Sequence, residues 1–179
     1  VDVEGNPLHV SNVDKVLWPA TADHPPLTKR HFLTYLAGIS PFLLPHLQDR
    51  PLTLSRYPDG IFGEHFWQKH WASPVPPFVH TVNISEESGK QGEYLVCDNL
   101  ATLIWLGQLA DIEFHTWYSR ISPEPDIADK EGGIDYLLDY PDFIVFDLDP
   151  YIYAGTEIVG AEPELNRAAF GRVCHVAAW

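Results

Sequence analysis

One pair of side chains in this sequence is suited to holding a divalent cation. In Phe146-Asp147-Leu148-Asp149-Pro150 two carboxylates stand two positions apart, and the two-residue period of a strand puts both on one face. Neighbouring carboxylates repel one another, a penalty that a divalent cation removes. Hard oxygen donors of this kind suit Mg²⁺ or Mn²⁺, and the chemistry they support is metal-assisted phosphoryl or nucleotidyl transfer. A solvated strand end closed by a turn-forming Asp-Pro fits the same five residues, and so short a motif does not choose between the two.

Three further groups of residues could contact a nucleic acid. Phe66-Trp67-Gln68-Lys69 sets adjacent aromatics beside a lysine, downstream of Arg56; such a segment can stack on a base and hold a phosphate, or can simply pack as a core loop. Asn12, Lys15 and Lys29 carry donors for phosphate oxygens, although scattered lysines are more commonly solvated surface. His115 closes Ile112-Glu113-Phe114-His115 and could face a template or nucleotide, or be a satisfied structural histidine. The nine histidines and two cysteines form no zinc-ligand spacing. Walker, dinucleotide-binding and Gly-x-Ser-x-Gly patterns are absent, as is an adenylation lysine motif.

The elements that must position these residues alternate without a regular βαβ period, which predicts an α/β domain of mixed α+β type. Residues 7 to 18 read as an extended segment and turn, and 20 to 27 as a loop. Thr28 is a cap for a helix over about 29 to 47, where Phe32, Leu33, Leu36, Ile39, Leu43, Leu44 and Leu47 recur at helical spacing; Pro41 and Pro45 are expected to break or kink it. Residues 51 to 57 alternate as a strand before the turn Pro58-Asp59-Gly60. The aromatic stretch 61 to 71 and the proline-rich 73 to 78 read as loops. Residues 79 to 84 and 93 to 97 pair as strands, Asp98 or Asn99 caps a helix over 100 to 110, and 112 to 115 form a short buried strand. Residues 142 to 149 are the clearest strand of all, and a helical pattern runs from about 163 to the last residue, Trp179.

Composition sets the outer bounds. The 179 residues suit one domain, and 45% hydrophobic content supports a sizeable core. Two distant cysteines imply no disulfide framework and suit a reducing cytoplasm. Apolar runs are too short for a membrane-spanning helix. A net charge of -14 runs against nucleic-acid binding, but six of the eleven basic residues fall before residue 70, so one face can be locally basic.

Taken in order, several segments resemble the polymerase domain of the bacterial end-joining DNA ligase D family, within the archaeo-eukaryotic primase superfamily. They are Ser11-Asn12-Val13-Asp14-Lys15-Val16-Leu17-Trp18-Pro19, Leu27-Thr28-Lys29, Leu43 to Thr53, Arg56-Tyr57-Pro58-Asp59-Gly60, Phe66-Trp67-Gln68-Lys69, Cys97 to Leu106, Ile112-Glu113-Phe114-His115 and Phe146-Asp147-Leu148-Asp149-Pro150. The resemblance runs from about residue 8 to 150. It implies template-directed nucleotide addition, often of ribonucleotides, at DNA ends during non-homologous end joining. It also implies two metal ions (commonly manganese), nucleoside triphosphates as substrates, and a Ku-like protein and a ligase domain as partners, in the cytoplasm at the nucleoid. On this resemblance Asp147 and Asp149 are metal-binding catalytic carboxylates. Asn12, Lys15 and Lys29 hold the 5′-phosphate downstream of a gap or break. Phe66 and Trp67 sit against template bases, while Arg56, Lys69 and His115 line the nucleic-acid or nucleotide path.

The chain also departs from that family's pattern. The third catalytic aspartate and the Ser-Gly-Gly-Lys-Gly-x-His segment that grips the incoming nucleotide do not occur in it, and Tyr151 to Gly155 replace the usual acidic Gly-rich turn. With no methionine anywhere and a helical pattern running to its end, the sequence is expected to be the N-terminal portion of one incomplete domain, inactive as a polymerase. A non-catalytic module for 5′-phosphorylated DNA ends and an unrelated acidic metal-dependent protein are the rival expectations.

Overall fold

A computed structural model describes residues 1–85, 89–121, 138–146, 148 and 167–178. Its contacts divide the chain into two units, Val1–Phe143 and Ile144–Trp179. The first is a mixed α/β unit. Two short antiparallel ribbons open it: β1 (Asp2–Val3) with β2 (Asn6–Pro7), and β3 (Val16–Trp18) with β4 (Leu27–Thr28). Helix α1 (Lys29–Leu47) follows, then β5 (Pro51–Arg56), β6 (Phe66–Gln68), β7 (His80–Ser85), β8 (Gln91–Val96), α2 (Leu100–Gln108) and β9 (Asp111–Thr116). Five strands form one sheet in the order β6-β5-β8-β7, with β9 along the other side of β5, and all of its pairings are antiparallel.

Helix α1 begins after Thr28, as its sequence predicts, and runs unbroken through Pro41 and Pro45. Pro41 has no N–H for the carbonyl of Ala37, one turn back. The Ser40 hydroxyl donates to that carbonyl instead, at 2.9 Å, so the expected break does not occur. In α2 the cap is Asn99, whose Oδ1 accepts from the Thr102 amide at 2.8 Å.

The two helices cover one face of the sheet. Phe32, Leu36 and Leu47 of α1 join Leu103 and Leu106 of α2, Leu52 and Leu54 of β5 and Leu95 of β8 in one buried cluster, where each full burial contributes roughly 1.5–3 kcal/mol. Gly107 permits the close approach of the helices: a Cβ there would lie 2.5 Å from Leu36 Cδ1. Because side chains alternate across a strand, Tyr94 and Val96 of β8 point the other way. They pack with Val82 and Ile84, and with Trp117, Ile121 and Leu138, in a smaller cluster.

Three strand expectations change. Residues 66–68 form β6 instead of a loop, paired to β5 through Ser55↔Trp67 and Arg56↔Phe66; three residues are too few for an alternation to register in the sequence. The strand at 112–115 is longer and less buried than expected, with His115 exposed, because among the described residues it pairs on one side only, with β5. The described residues of 142–149, which are 142–146 and 148, lie in no strand. Ile144 and Phe146 are 75% and 79% exposed. An apolar run becomes a strand only where a neighbour supplies backbone hydrogen bonds, and no strand runs beside 143–146 among the described residues. The second unit, Ile144–Trp179, contains helix α3 (Arg167–Ala177), in agreement with the helical pattern of the tail; the residues from 161 to 166 lie outside the described ones.

Candidate nucleic-acid interface

Asn12, Lys15 and Lys29 come together where α1 begins. Asn12 adopts a left-handed conformation with φ 52°, which asparagine tolerates better than most residues. Its carbonyl accepts the Lys15 amide at 3.0 Å. The first two amides of α1 then hold the loop: Lys29 N–H donates to Lys15 O and Arg30 N–H to Val13 O, both at 2.8 Å. These amides, orphaned in an isolated helix, fix the 12–15 turn against the helix start.

Both lysine ammonium groups have internal partners. Lys15 Nζ pairs with Asp59 at 2.7 Å. Asp59 is brought there by the Tyr57–Gly60 turn, which docks on β3 with Ile61 N–H donating to Leu17 O at 2.9 Å. Gly60, at φ +86°, makes that docking possible, since a Cβ there would lie 2.8 Å from the Leu17 carbonyl. Lys29 is only 6% exposed, and its Nζ donates to Gln108 O at the end of α2, at 2.9 Å. Burial, and then the nearby charge of Lys15, push the Lys29 pKa down. Two like charges held close with one of them buried form a place where an anion relieves repulsion.

The second group lies on the sheet face turned away from the helices. Directly opposed residues of antiparallel strands share a face, so Trp67, Ser55 and Glu113 align across β6, β5 and β9, with Thr53 and His115 one pair further along. Trp67 is 58% exposed, and its ring centroid lies 4.5 Å from that of His115. His115 Nε2 and Glu113 are 3.1 Å apart. The Tyr57 hydroxyl donates to the other Glu113 oxygen at 2.6 Å, and His65 stacks on Tyr57 at 4.9 Å. The Tyr57 hydroxyl, then His115, hold the Glu113 carboxyl below its ordinary range. An open recess of about 470 Å³ lined by His115, Thr116, Trp117 and Tyr118 adjoins this row. Lys69 has its Nζ 5.9 Å from the ring of buried Tyr94. Tyr57, His65 and Glu113 were not singled out from the sequence; Glu113 is found by its register opposite Ser55 on β5, and Tyr57 and His65, just outside the strands, only by their contacts with it and with each other.

Phe66 and Arg56 belong to the opposite face. Phe66 is 47% exposed and lies over the Arg56 guanidinium at 5.3 Å. Arg56 also donates to Gln68 Oε1 at 3.0 Å and meets Asp111 at 3.3 Å. Asp111 is fully buried, and burial pushes its carboxyl up to about 7 against the opposing pull of Arg56. Arg56 therefore braces β6 from beneath. The adjacent residues Phe66 and Trp67 address opposite faces, so the pair does not form one platform.

Asp147 and Asp149 lie outside the described residues. Among the described residues no group of three or more His, Cys, Asp or Glu side chains is placed to hold a metal ion, and no helix is long and apolar enough to cross a membrane.

Fold and site together define an α/β domain with helices on one sheet face, aromatic and histidine side chains on the other, and a lysine corner at a helix start. The family follows from comparison. A family model for the LigD primase-polymerase domain matches residues 28–167, and the chain belongs to that family. It is 33% identical over 141 residues to the multifunctional non-homologous end joining DNA repair protein LigD of Mycobacterium tuberculosis, covering 79% of this chain and 17% of that protein. It is 30% identical over 143 residues to the bifunctional non-homologous end joining protein LigD of Bacillus subtilis, covering 80% of this chain and 20% of that protein. The polymerase domain of Mycobacterium tuberculosis ligase D, solved in complex with DNA, superposes with a TM-score of 0.59 at 32% identity, over 67% of this chain and 40% of that one. The chain thus spans about a fifth or less of the length of these curated relatives.

Proposed function

We propose that this chain holds 5′-phosphorylated DNA ends or gaps as part of a nucleotidyltransferase domain for template-directed nucleotide addition in non-homologous end joining. The observation that carries the reading is the gathering of Asn12 and Lys15, in one turn, with Lys29 at the start of α1. A terminal phosphate dianion suits clustered ammonium and amide donors. Trp67 and His115, exposed on the open sheet face, suit sequence-tolerant stacking against template bases, and the recess beside His115 is room for a base or nucleotide.

Asp147 and Asp149 supply the carboxylates for Mn²⁺ or Mg²⁺. When bound, such ions neutralise triphosphate charge and acidify the attacking 3′-hydroxyl. Nucleoside triphosphates, a Ku-like protein and a ligase domain are the partners the reading assigns to the whole protein. With two of the family's three catalytic aspartates, the chain is expected to bind ends without sustaining polymerisation.

The test is fluorescence anisotropy on recessed-end DNA at fixed salt, with and without the 5′-phosphate. The reading expects the phosphate to tighten binding about tenfold, the value of one charge-assisted contact. Equal binding of both ends contradicts it. A non-catalytic end-binding module is the second reading. It takes the lysine corner, which lies wholly within the unit Val1–Phe143, as sufficient for end binding. On either reading, Asp147→Asn with Asp149→Asn leaves end binding intact. Phosphate-independent nucleotide incorporation by the purified chain would contradict both.

A further inference from the structure

Gln108 ends α2, far in sequence from the lysine corner, yet its side chain and backbone both reach into it. Its Oε1 accepts the Ser11 amide at 3.2 Å and its Nε2 donates to Ser11 Oγ at 3.0 Å. Its backbone carbonyl accepts Lys29 Nζ at 2.9 Å. One residue thus grips both sides of the corner: the loop that carries Asn12 and Lys15, and the lysine that begins α1. A primary amide offers an acceptor and a donor together, which is what the Ser11 amide and hydroxyl require. Fixing Ser11 fixes the origin of the left-handed turn at Asn12 (φ 52°). The carbonyl end of α2 is the negative end of its dipole, so Lys29 is drawn to it and held beside Lys15.

We propose that Gln108 is a positioning residue for 5′-phosphate recognition, holding Asn12, Lys15 and Lys29 in one geometry before DNA arrives. The inference rests on the reading of this corner as a phosphate site. Pre-organised donors bind more tightly because ordering them on binding costs entropy, so loosening the 11–15 loop weakens the contact to the phosphate while leaving sequence-tolerant stacking on the sheet untouched.

The test is the ratio of affinities for recessed-end DNA with a 5′-phosphate and with a 5′-hydroxyl, measured by anisotropy on wild type, Gln108→Ala and Ser11→Ala. Gln108→Ala loses two neutral hydrogen bonds, and the ratio is expected to fall about tenfold; Ser11→Ala loses one, and about threefold is expected. Affinity for 5′-hydroxyl DNA stays at the wild-type value in both. A merely structural role predicts instead that both affinities fall in parallel, and that result overturns the inference, as does an unchanged ratio in both variants. If Gln108→Ala does not fold, Ser11→Ala decides alone. A wild-type ratio of one overturns the phosphate site itself, an outcome separate from wild-type selectivity that survives both substitutions.

Discussion

Substituting Asp111 by asparagine should change how stability depends on pH more than it changes any contact. Asp111, at the start of β9, is fully buried, with Arg56 Nε at 3.3 Å, and burial raises its pKa from 3.8 to about 7. In the unfolded chain the carboxyl ionises near its ordinary value, while in the folded protein it keeps its proton until about neutral pH. The folded state therefore binds more protons between these values, and stability falls as pH rises from about 4 through 7. A rise of this size corresponds to at most about 4 kcal/mol, or roughly 10 °C in the melting midpoint of a chain of this length. Asparagine keeps the shape and removes the titration. Thermal or urea unfolding of wild type and Asp111→Asn at pH 4.5, 6 and 8 and constant ionic strength measures the effect. The stability of wild type relative to the variant should decline across that range. Other groups cancel in the difference because both proteins carry them; Asp142, held down to about 2 by Arg50 and Arg120, acts only at lower pH. A flat difference across the range would refute the argument that burial outweighs the Arg56 charge.

Three further outcomes follow from the same geometry. Asp59→Asn removes the partner of Lys15 and a negative charge beside the corner, so phosphorylated ends should bind about two- to fivefold more tightly, a modest gain because the pair is exposed; weaker binding in anisotropy would show that Asp59 orients Lys15 instead. Trp67→Ala should weaken binding of a duplex with a single-stranded overhang by about 1–3 kcal/mol, the scale of one base–aromatic stack, with Trp67→Phe retaining most of it. Gly107→Ala places a Cβ 2.5 Å from Leu36 Cδ1 and should destabilise by about 1–3 kcal/mol in urea unfolding despite better helix propensity; a more stable variant would show that the α1–α2 contact relaxes freely.

Elements with many repeats of their own period were legible in the sequence. Helix α1 declares itself through Phe32, Leu36 and Leu47 with Thr28 as cap, and the pairing of residues 79 to 84 with 93 to 97 agrees with β7 and β8. Strand β6 was not, because Phe66–Gln68 owes its conformation to pairing with Leu54–Arg56, a non-local fact. The apolar run 143–146 forms no strand for the converse reason: a strand needs a neighbour as much as a pattern. Among site residues, Asn12, Lys15 and Lys29 were recognised through the ordered motifs of a family, but their spacing carries no sign that they meet. Gln108 and Asp111 were invisible, since a polar residue at a helix end and an acid at a strand start look like ordinary surface until the fold places one against Ser11 and buries the other beside Arg56. The face each aromatic takes also required the register: Ser55↔Trp67 and Arg56↔Phe66 send them to opposite sides of the sheet.

The most direct test of the central claim is amide chemical-shift mapping of the ¹⁵N-labelled chain against recessed-end DNA with a 5′-phosphate and with a 5′-hydroxyl. The account predicts that the difference between the two titrations concentrates on the amides of residues 11 to 15 and of Lys29 and Arg30, with Trp67 and His115 shifting equally in both. A phosphate-dependent change centred elsewhere, or none at all, would contradict it.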